Sequence, residues 1–201
     1  MKKLFTQVVI IIMAITLLNS CQKLEEISSV ANVDQSHGHL QQTKIYSSEV
    51  AFKWIDMQLR LIRTNPTPLG GLPPQRFYGY SAIALYESVV PGMPAYRSLS
   101  GQLTDMPAMP ETLPGHAYYW PACGNAALAA MTRNFFTNAS DANKASVDSL
   151  ENVLNDAYQT QTDNEEFQRS ADFGKAVAET VFNWSKTDGA ANGCSEGRRQ
   201  P

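Results

Sequence analysis

The chain has 201 residues, of which 43% are hydrophobic and 17% charged, and carries a formal net charge of −3. That length suits one domain of ordinary size with enough apolar content to bury a core. With 16 basic residues against 19 acidic ones, no basic run and no arginines interleaved with aromatics, the composition argues against a nucleic-acid partner.

The first residues address the chain. Lys2 and Lys3 precede an almost uncharged apolar run over residues 4–18, and Leu18-Asn19-Ser20-Cys21 then places a small residue before a cysteine, as a lipobox does. About fifteen apolar residues are short for a bilayer of ~30 Å, so the run reads as a cleaved lipoprotein signal over residues 1–20 rather than a permanent span. Cys21 is then the lipidation site, and its acyl chains suffice for stable membrane anchoring. A lipobox implies a bacterium, so the expected location is the bacterial cell envelope. Cleavage removes Lys2 and Lys3 and shifts the net charge from −3 to −5. Residues 21–45 are polar and without sustained periodicity, and read as the lipidated cysteine and a flexible tether. His37-Gly38-His39 falls within it, but no Cys, Asp or Glu at ligand spacing supports a metal site there.

A helical series follows. Ser47 or Ser48 can cap a first helix ending near Arg63, with Val50, Ala51, Trp54, Ile55, Leu59 and Ile62 as its apolar stripe. Lys53, Asp56, Arg60 and Arg63 lie mostly off that stripe and read as a solvated face. Asn65-Pro66-Thr67-Pro68-Leu69-Gly70-Gly71 breaks this helix, because each proline disfavours helix in the residue before it.

Pro73 and Pro74 can open a second helix, since proline fits the first turn. Over residues 76–90 it has no continuous polar face, which predicts a central position. Gly79, Ser81, Ala82 and Ala84 are small enough to let neighbouring backbones approach. Its two charges, Arg76 and Glu87, stand three turns apart on nearly the same face. Glu87 reads either as an acid or base, or as a structural acceptor for an arginine or for backbone donors. No second carboxylate stands at a helpful spacing, so both charges are assigned buried structural roles and no catalytic residue is assigned.

Pro91-Gly92-Met93-Pro94 ends the helix, and a long connection over residues 95–121 carries Tyr118, Tyr119 and Trp120, which suggest that it wraps the core. His116 is a lone imidazole in that connection. Catalysis by His116 with Glu87 would require the two to meet in a pocket. A third helix over residues 122–136 is alanine-rich. A fourth, capped by Ser140, shows the stripe Val147, Leu150, Val153, Leu154 and Tyr158. A fifth begins near Asp163 or Asn164, with Glu165 and Glu166 favouring its dipole, and continues through Phe167, Phe173, Val177, Val181 and Trp184 to a stop at Asp188-Gly189. No alternating strand pattern competes, so the predicted class is all-α, with about five helices over residues 46–189 and an irregular tail over residues 190–201. Cys123 and Cys194 can form a disulfide in an oxidising envelope, closing a 71-residue separation that contributes ~4 kcal/mol in the chain-entropy view.

Several of these residues recur in a known arrangement. Arg76, Tyr80, Ile83 to Ser88, Pro91 to Pro94, Tyr96 to Leu99, Gly101 to Leu103, the Tyr119-Trp120 pair before Asn125-Ala126-Ala127, and the ending Trp184-Ser185-Lys186-Thr187-Asp188-Gly189 together resemble the N-terminal helical half of the bacterial envelope relatives of vanadium-dependent haloperoxidases and type 2 phosphatidic acid phosphatases. The resemblance runs roughly from Trp54 to Gly189. It implies an oxyanion site that holds vanadate for peroxide-driven halide oxidation, or phosphate for ester hydrolysis, with Lys and Arg on the equatorial oxygens and a histidine bound axially.

The residues of that site are absent from the sequence. The family's Lys-x6-Arg-Pro, Pro-Ser-Gly-His and Ser-Arg-x5-His-x3-Asp signatures do not occur, and four residues beyond His37, His39 and His116 stand Gln41, Thr43 and Trp120 rather than aspartate. Two functional expectations follow. Either the chain is the helical half of such an enzyme, inert without its catalytic half, or it is a non-enzymatic surface lipoprotein that binds a glycan, peptide or envelope partner. The first predicts large bare apolar faces on the second and third helices, awaiting the missing half or a partner; the second predicts a closed core.

Overall fold

The computed structural model describes residues 41–65, 69 and 72–190. Five α-helices succeed one another: α1 (Glu49–Thr64), α2 (Pro74–Val89), α3 (Trp120–Phe135), α4 (Asp141–Gln159) and α5 (Asn164–Ser185), and no strand is present among the described residues. The class is all-α, as the absence of alternation predicts.

The start of each helix follows from local chemistry. Pro74 occupies the first turn of α2, where its missing N–H costs nothing. Ser140 Oγ accepts from Asn143 N–H to cap α4, and Asp163 Oδ1 accepts from Glu166 N–H at 2.8 Å to cap α5. Ser47, rather than Ser48, supplies its hydroxyl near the start of α1, accepting from Glu49 N–H.

The centre of the array is α3, not α2. Thirteen of the sixteen α3 residues are buried, and all four other helices pack on it, α5 most extensively. The alanines explain this, because a helix with Ala122, Ala126, Ala127 and Ala129 on its surface admits neighbours on every side at short interaxial distance. The closest approach is made by Gly174 of α5: a Cβ there would lie 2.1 Å from the Cys123 carbonyl oxygen. The small residues of α2 do less than predicted, since Gly79 and Ala82 face solvent.

Two apolar stripes are rotated from their predicted positions. On α1 the buried seam is Val50, Trp54, Gln58 and Leu61, leaving Ile55 46% exposed. On α4 Glu151 turns inward while Val153 is 58% exposed. Both rotations have a polar cause. Gln58 Nε2 donates to Thr132 Oγ1, and Glu151 receives Arg133 of α3 in an ion pair, so each polar side chain finds a partner on the central helix. Between them Trp54 Nε1 donates to Asn125 Oδ1 at 2.7 Å, and Asn125 Nδ2 donates to Asn155 Oδ1 and to the Glu151 carbonyl. A polar seam therefore fixes α1 and α4 against α3.

The tail end of the predicted tether also belongs to the fold. Residues Thr43–Ile45 form a 3-10 turn, Thr43 Oγ1 donates to the Val89 carbonyl, and Trp120 Nε1 donates to the Gln41 carbonyl. Among the described residues none of the large exposed hydrophobic side chains stands on α2 or α3; they are Ile45, Phe52, Ile55, Tyr96, Leu103, Leu113 and Val153. The bare faces predicted for the second and third helices are absent among the described residues, because α3 is enclosed and α2, packed on α3 and α5, buries Phe77, Ser81, Ala84, Glu87 and Ser88.

Candidate functional site

The residues singled out by the family resemblance meet in two places. At one end of the array Arg76, in the first turn of α2, reaches past the end of α5. Its Nε donates to Asp188 Oδ2 at 2.7 Å and its Nη2 to the Ser185 carbonyl, while Tyr80 OH donates to the same Asp188 Oδ2 at 3.0 Å. The Arg76 guanidinium also lies 5.3 Å from the centroids of both Tyr80 and Phe135, and Tyr80 meets Trp184 edge-on at 5.3 Å. Burial opposes the charge on Asp188, yet the hydrogen bonds from Arg76, from Ala190 N–H and from Tyr80 outweigh it, so its pKa is lowered. Burial first, then the hydrogen bond to Asp188 and its charge, raise the Tyr80 hydroxyl, against a smaller opposing effect of Arg76. These bonds join the first turn of α2 to the end of α5.

At the other end of α2, Glu87 is 2% exposed and its Oε1 accepts from Leu99 N–H at 2.7 Å. Tyr86 OH donates to the Arg97 carbonyl of the same connection at 2.8 Å. Glu87 thus serves a backbone donor of the long connection, and Arg76 serves Asp188; the two charges do not pair with each other. His116 is exposed, and no hydrogen bond joins it to Glu87.

The connection over residues 93–119 is held against α5 as well. Arg169 donates through Nε and Nη2 to the Ala117 carbonyl and stacks over Tyr118, while Tyr119 N–H donates to Ser170 Oγ. Between this connection and α5 opens a cavity of about 680 Å³, with Leu113, Tyr118 and Phe173 as its apolar wall and Glu111, Glu165, Asp172 and Arg169 as its charges. Nearby, Tyr46 meets Tyr119 edge-on and Tyr119 meets Tyr158 at a tilt, with ring centroids 5.1 and 5.3 Å apart. Burial, the larger cause, and neighbouring charges or hydroxyls push all three hydroxyls upward, so they stay protonated. Nothing in the sequence marks this cluster, because Tyr46 stands outside any periodic segment.

Cys123 is a fully buried free thiol, pushed upward chiefly by burial, and Cys194 lies outside the described residues, as do Cys21, His37 and His39. Among the described residues no group of three or more His, Cys, Asp or Glu could hold a metal ion.

No protein-family model matches the chain, and no curated protein sequence matches it. The helical array is similar to part of the crystal structure of a bacterial vanadium-dependent iodoperoxidase, with a TM-score of 0.58 and 21% identity, over 76% of this chain and 34% of that one. The chain therefore spans about a third of the length of the structure it matches, and at this identity what the two share is the helical fold.

The described residues do not fit a vanadate ion. The site that the family resemblance implies has several cations converging on the ion with a histidine. Here Arg76 is bound to Asp188, Arg133 to Asp148 and Glu151, and Arg169 to a carbonyl, while His116 stands apart on the surface. The cavity beside α5 has three carboxylates to one guanidinium and would repel the ion.

Proposed function

We propose that this chain is the N-terminal helical part of an envelope protein of the vanadium haloperoxidase and acid phosphatase lineage, tethered through acylated Cys21, and that it holds the fold together rather than performing the reaction. The parent activity is peroxide-dependent halide oxidation or phosphate ester hydrolysis. One observation carries the reading: Arg76, Tyr80, Trp184 and Asp188, drawn from the two ends of the resembling sequence, form a single network in a helical array that is similar to part of an iodoperoxidase over 76% of this chain. Vanadate belongs to the catalytic half in this reading, since the residues here do not fit it.

The test has two readouts. The purified chain is assayed for vanadate-dependent iodide oxidation and phosphate ester hydrolysis, and the source DNA is read beyond the codon for Pro201 in all three frames. Turnover by the chain alone would overturn the scaffold role. Downstream Lys-x6-Arg-Pro, Pro-Ser-Gly-His and Ser-Arg-x5-His-x3-Asp would supply the catalytic half, and a stop codon without them nearby would overturn the enzyme lineage for this chain.

The closed core favours a second reading. With no large bare apolar side chain on α2 or α3, the array is self-sufficient in the way expected of a non-enzymatic surface lipoprotein that binds a glycan, peptide or envelope partner. A monodisperse, cooperatively unfolding monomer supports it; concentration-dependent aggregation counts against it.

A further inference from the structure

We infer that the outward face of α1 lies on a lipid surface, holding the helical array against the membrane that carries its anchor. This rests on the anchored reading of Cys21 for its setting, but its own support is separate. α1 is apolar on two sides. The inward side, Val50, Trp54 and Leu61, is consumed by the core. The outward side presents Phe52 at 63% exposure and Ile55 at 46%, followed one turn later by half-buried Leu59, with Ile45 at 57% exposure just before the helix. A helix with a second apolar stripe flanked by basic residues is suited to the boundary between headgroups and acyl chains.

The charge distribution points the same way. Residues 41–64 carry Lys44, Lys53, Arg60 and Arg63 against Glu49 and Asp56, whereas residues 72–190 carry thirteen carboxylates against seven basic side chains. Glu49 is paired with Lys53 at 2.8 Å, and the other charges on α1 are Asp56 against Arg60 and Arg63, all exposed. An anionic surface attracts this face and repels the rest of the domain. Attachment agrees too. Gln41, the first described residue, stands immediately before the 3-10 turn that leads into α1, and twenty residues of chain back to Cys21 span at most ~70 Å if extended. No described helix is long and apolar enough to cross a membrane.

The test uses the full chain with benzoylphenylalanine introduced at position 52 and, as a control, at position 113, an exposed leucine beside the carboxylates of α5. Each protein is irradiated on vesicles containing phosphatidylglycerol and on vesicles of phosphatidylcholine alone, and lipid adducts are counted by mass spectrometry. The expected result is at least tenfold more lipid adduct at position 52 than at 113 on anionic vesicles. Arg60→Glu with Arg63→Glu should lower it severalfold. Equal adducts at the two positions would overturn the inference, as would adducts to a second polypeptide in place of lipid. The mass of the Cys21 peptide is read in the same samples. Acylation without adducts at position 52 leaves the anchor standing and the inference refuted; adducts without acylation do the reverse.

Discussion

Arg76 and Asp188 lie 112 residues apart in sequence, yet the arginine Nε and the carboxylate Oδ2 are 2.7 Å apart, joining the first turn of α2 to the turn that ends α5. The pair is partly screened by water, with side chains 12% and 26% exposed, so its net worth is about 1 kcal/mol. Asp188→Asn should lower stability by about that amount. The pH dependence has a definite sign. The Asp188 pKa is lowered in the folded protein, so the unfolded chain binds the extra proton. The contribution is complete above the unfolded value of about 4 and declines as pH falls through the folded value. Urea unfolding of the native protein and Asp188→Asn should therefore differ most at pH 6, and the difference should shrink as pH falls below about 4; a difference that widens on acidification would refute the assignment.

Gly174 and Gly79 make an opposed pair. A methyl group at Gly174 would meet the Cys123 carbonyl oxygen at 2.1 Å, and since that atom is backbone, α3 and α5 must separate at the most extensive contact of the fold. Gly174→Ala should cost roughly 3 kcal/mol or prevent folding. At Gly79 nothing lies within 4 Å, so Gly79→Ala should stabilise by up to about 1 kcal/mol through helix propensity alone. Thermal unfolding of the two variants checks both signs, and equal shifts would refute the close approach.

The contrast between these glycines shows where the sequence was legible. Element type was readable because caps and breakers act locally: Pro74, Ser140 and Asp163 each stand where a helix starts. Which face turned inward was less so. Periodicity assigns inward positions by hydrophobicity, and it placed Ile55 and Val153 in the core in preference to Gln58 and Glu151. Those polar residues are inside because Thr132 and Arg133 of α3 await them, and partners more than seventy residues away, as for Gln58, leave no local trace. The same holds for Gly174, whose neighbour Cys123 is distant in sequence. Arg76 and Glu87 were legible as charges on an otherwise apolar helix, but their partners, Asp188 and the Leu99 N–H, were not.

The Glu87 assignment separates a structural carboxylate from a chemical one. Its Oε1 accepts from Leu99 N–H, and a glutamine presents the same acceptor with its amide oxygen. Glu87→Gln should therefore cost under about 1.5 kcal/mol, whereas Glu87→Ala leaves a cavity and an unpaired amide and should cost about 3 kcal/mol. The alanine variant should also release the connection around Leu99, read as faster proteolysis and faster amide exchange between residues 97 and 103. If both variants prove equally harmful, a charge-specific role replaces the capping one.

Cys123 offers the most direct test of how tightly α3 is enclosed. Its side chain is 0% exposed, Gly174 of α5 packs on its carbonyl, and burial raises its pKa, so the thiolate that alkylating reagents require is both inaccessible and scarce. In the native protein with Cys194→Ser, iodoacetamide should leave Cys123 unmodified over hours, and modification should appear only through global unfolding. Its rate should then rise in proportion to the unfolded fraction as urea is added. Rapid native labelling would mean that α3 and α5 part locally, and that the α3–α5 contact is not the rigid centre of the fold.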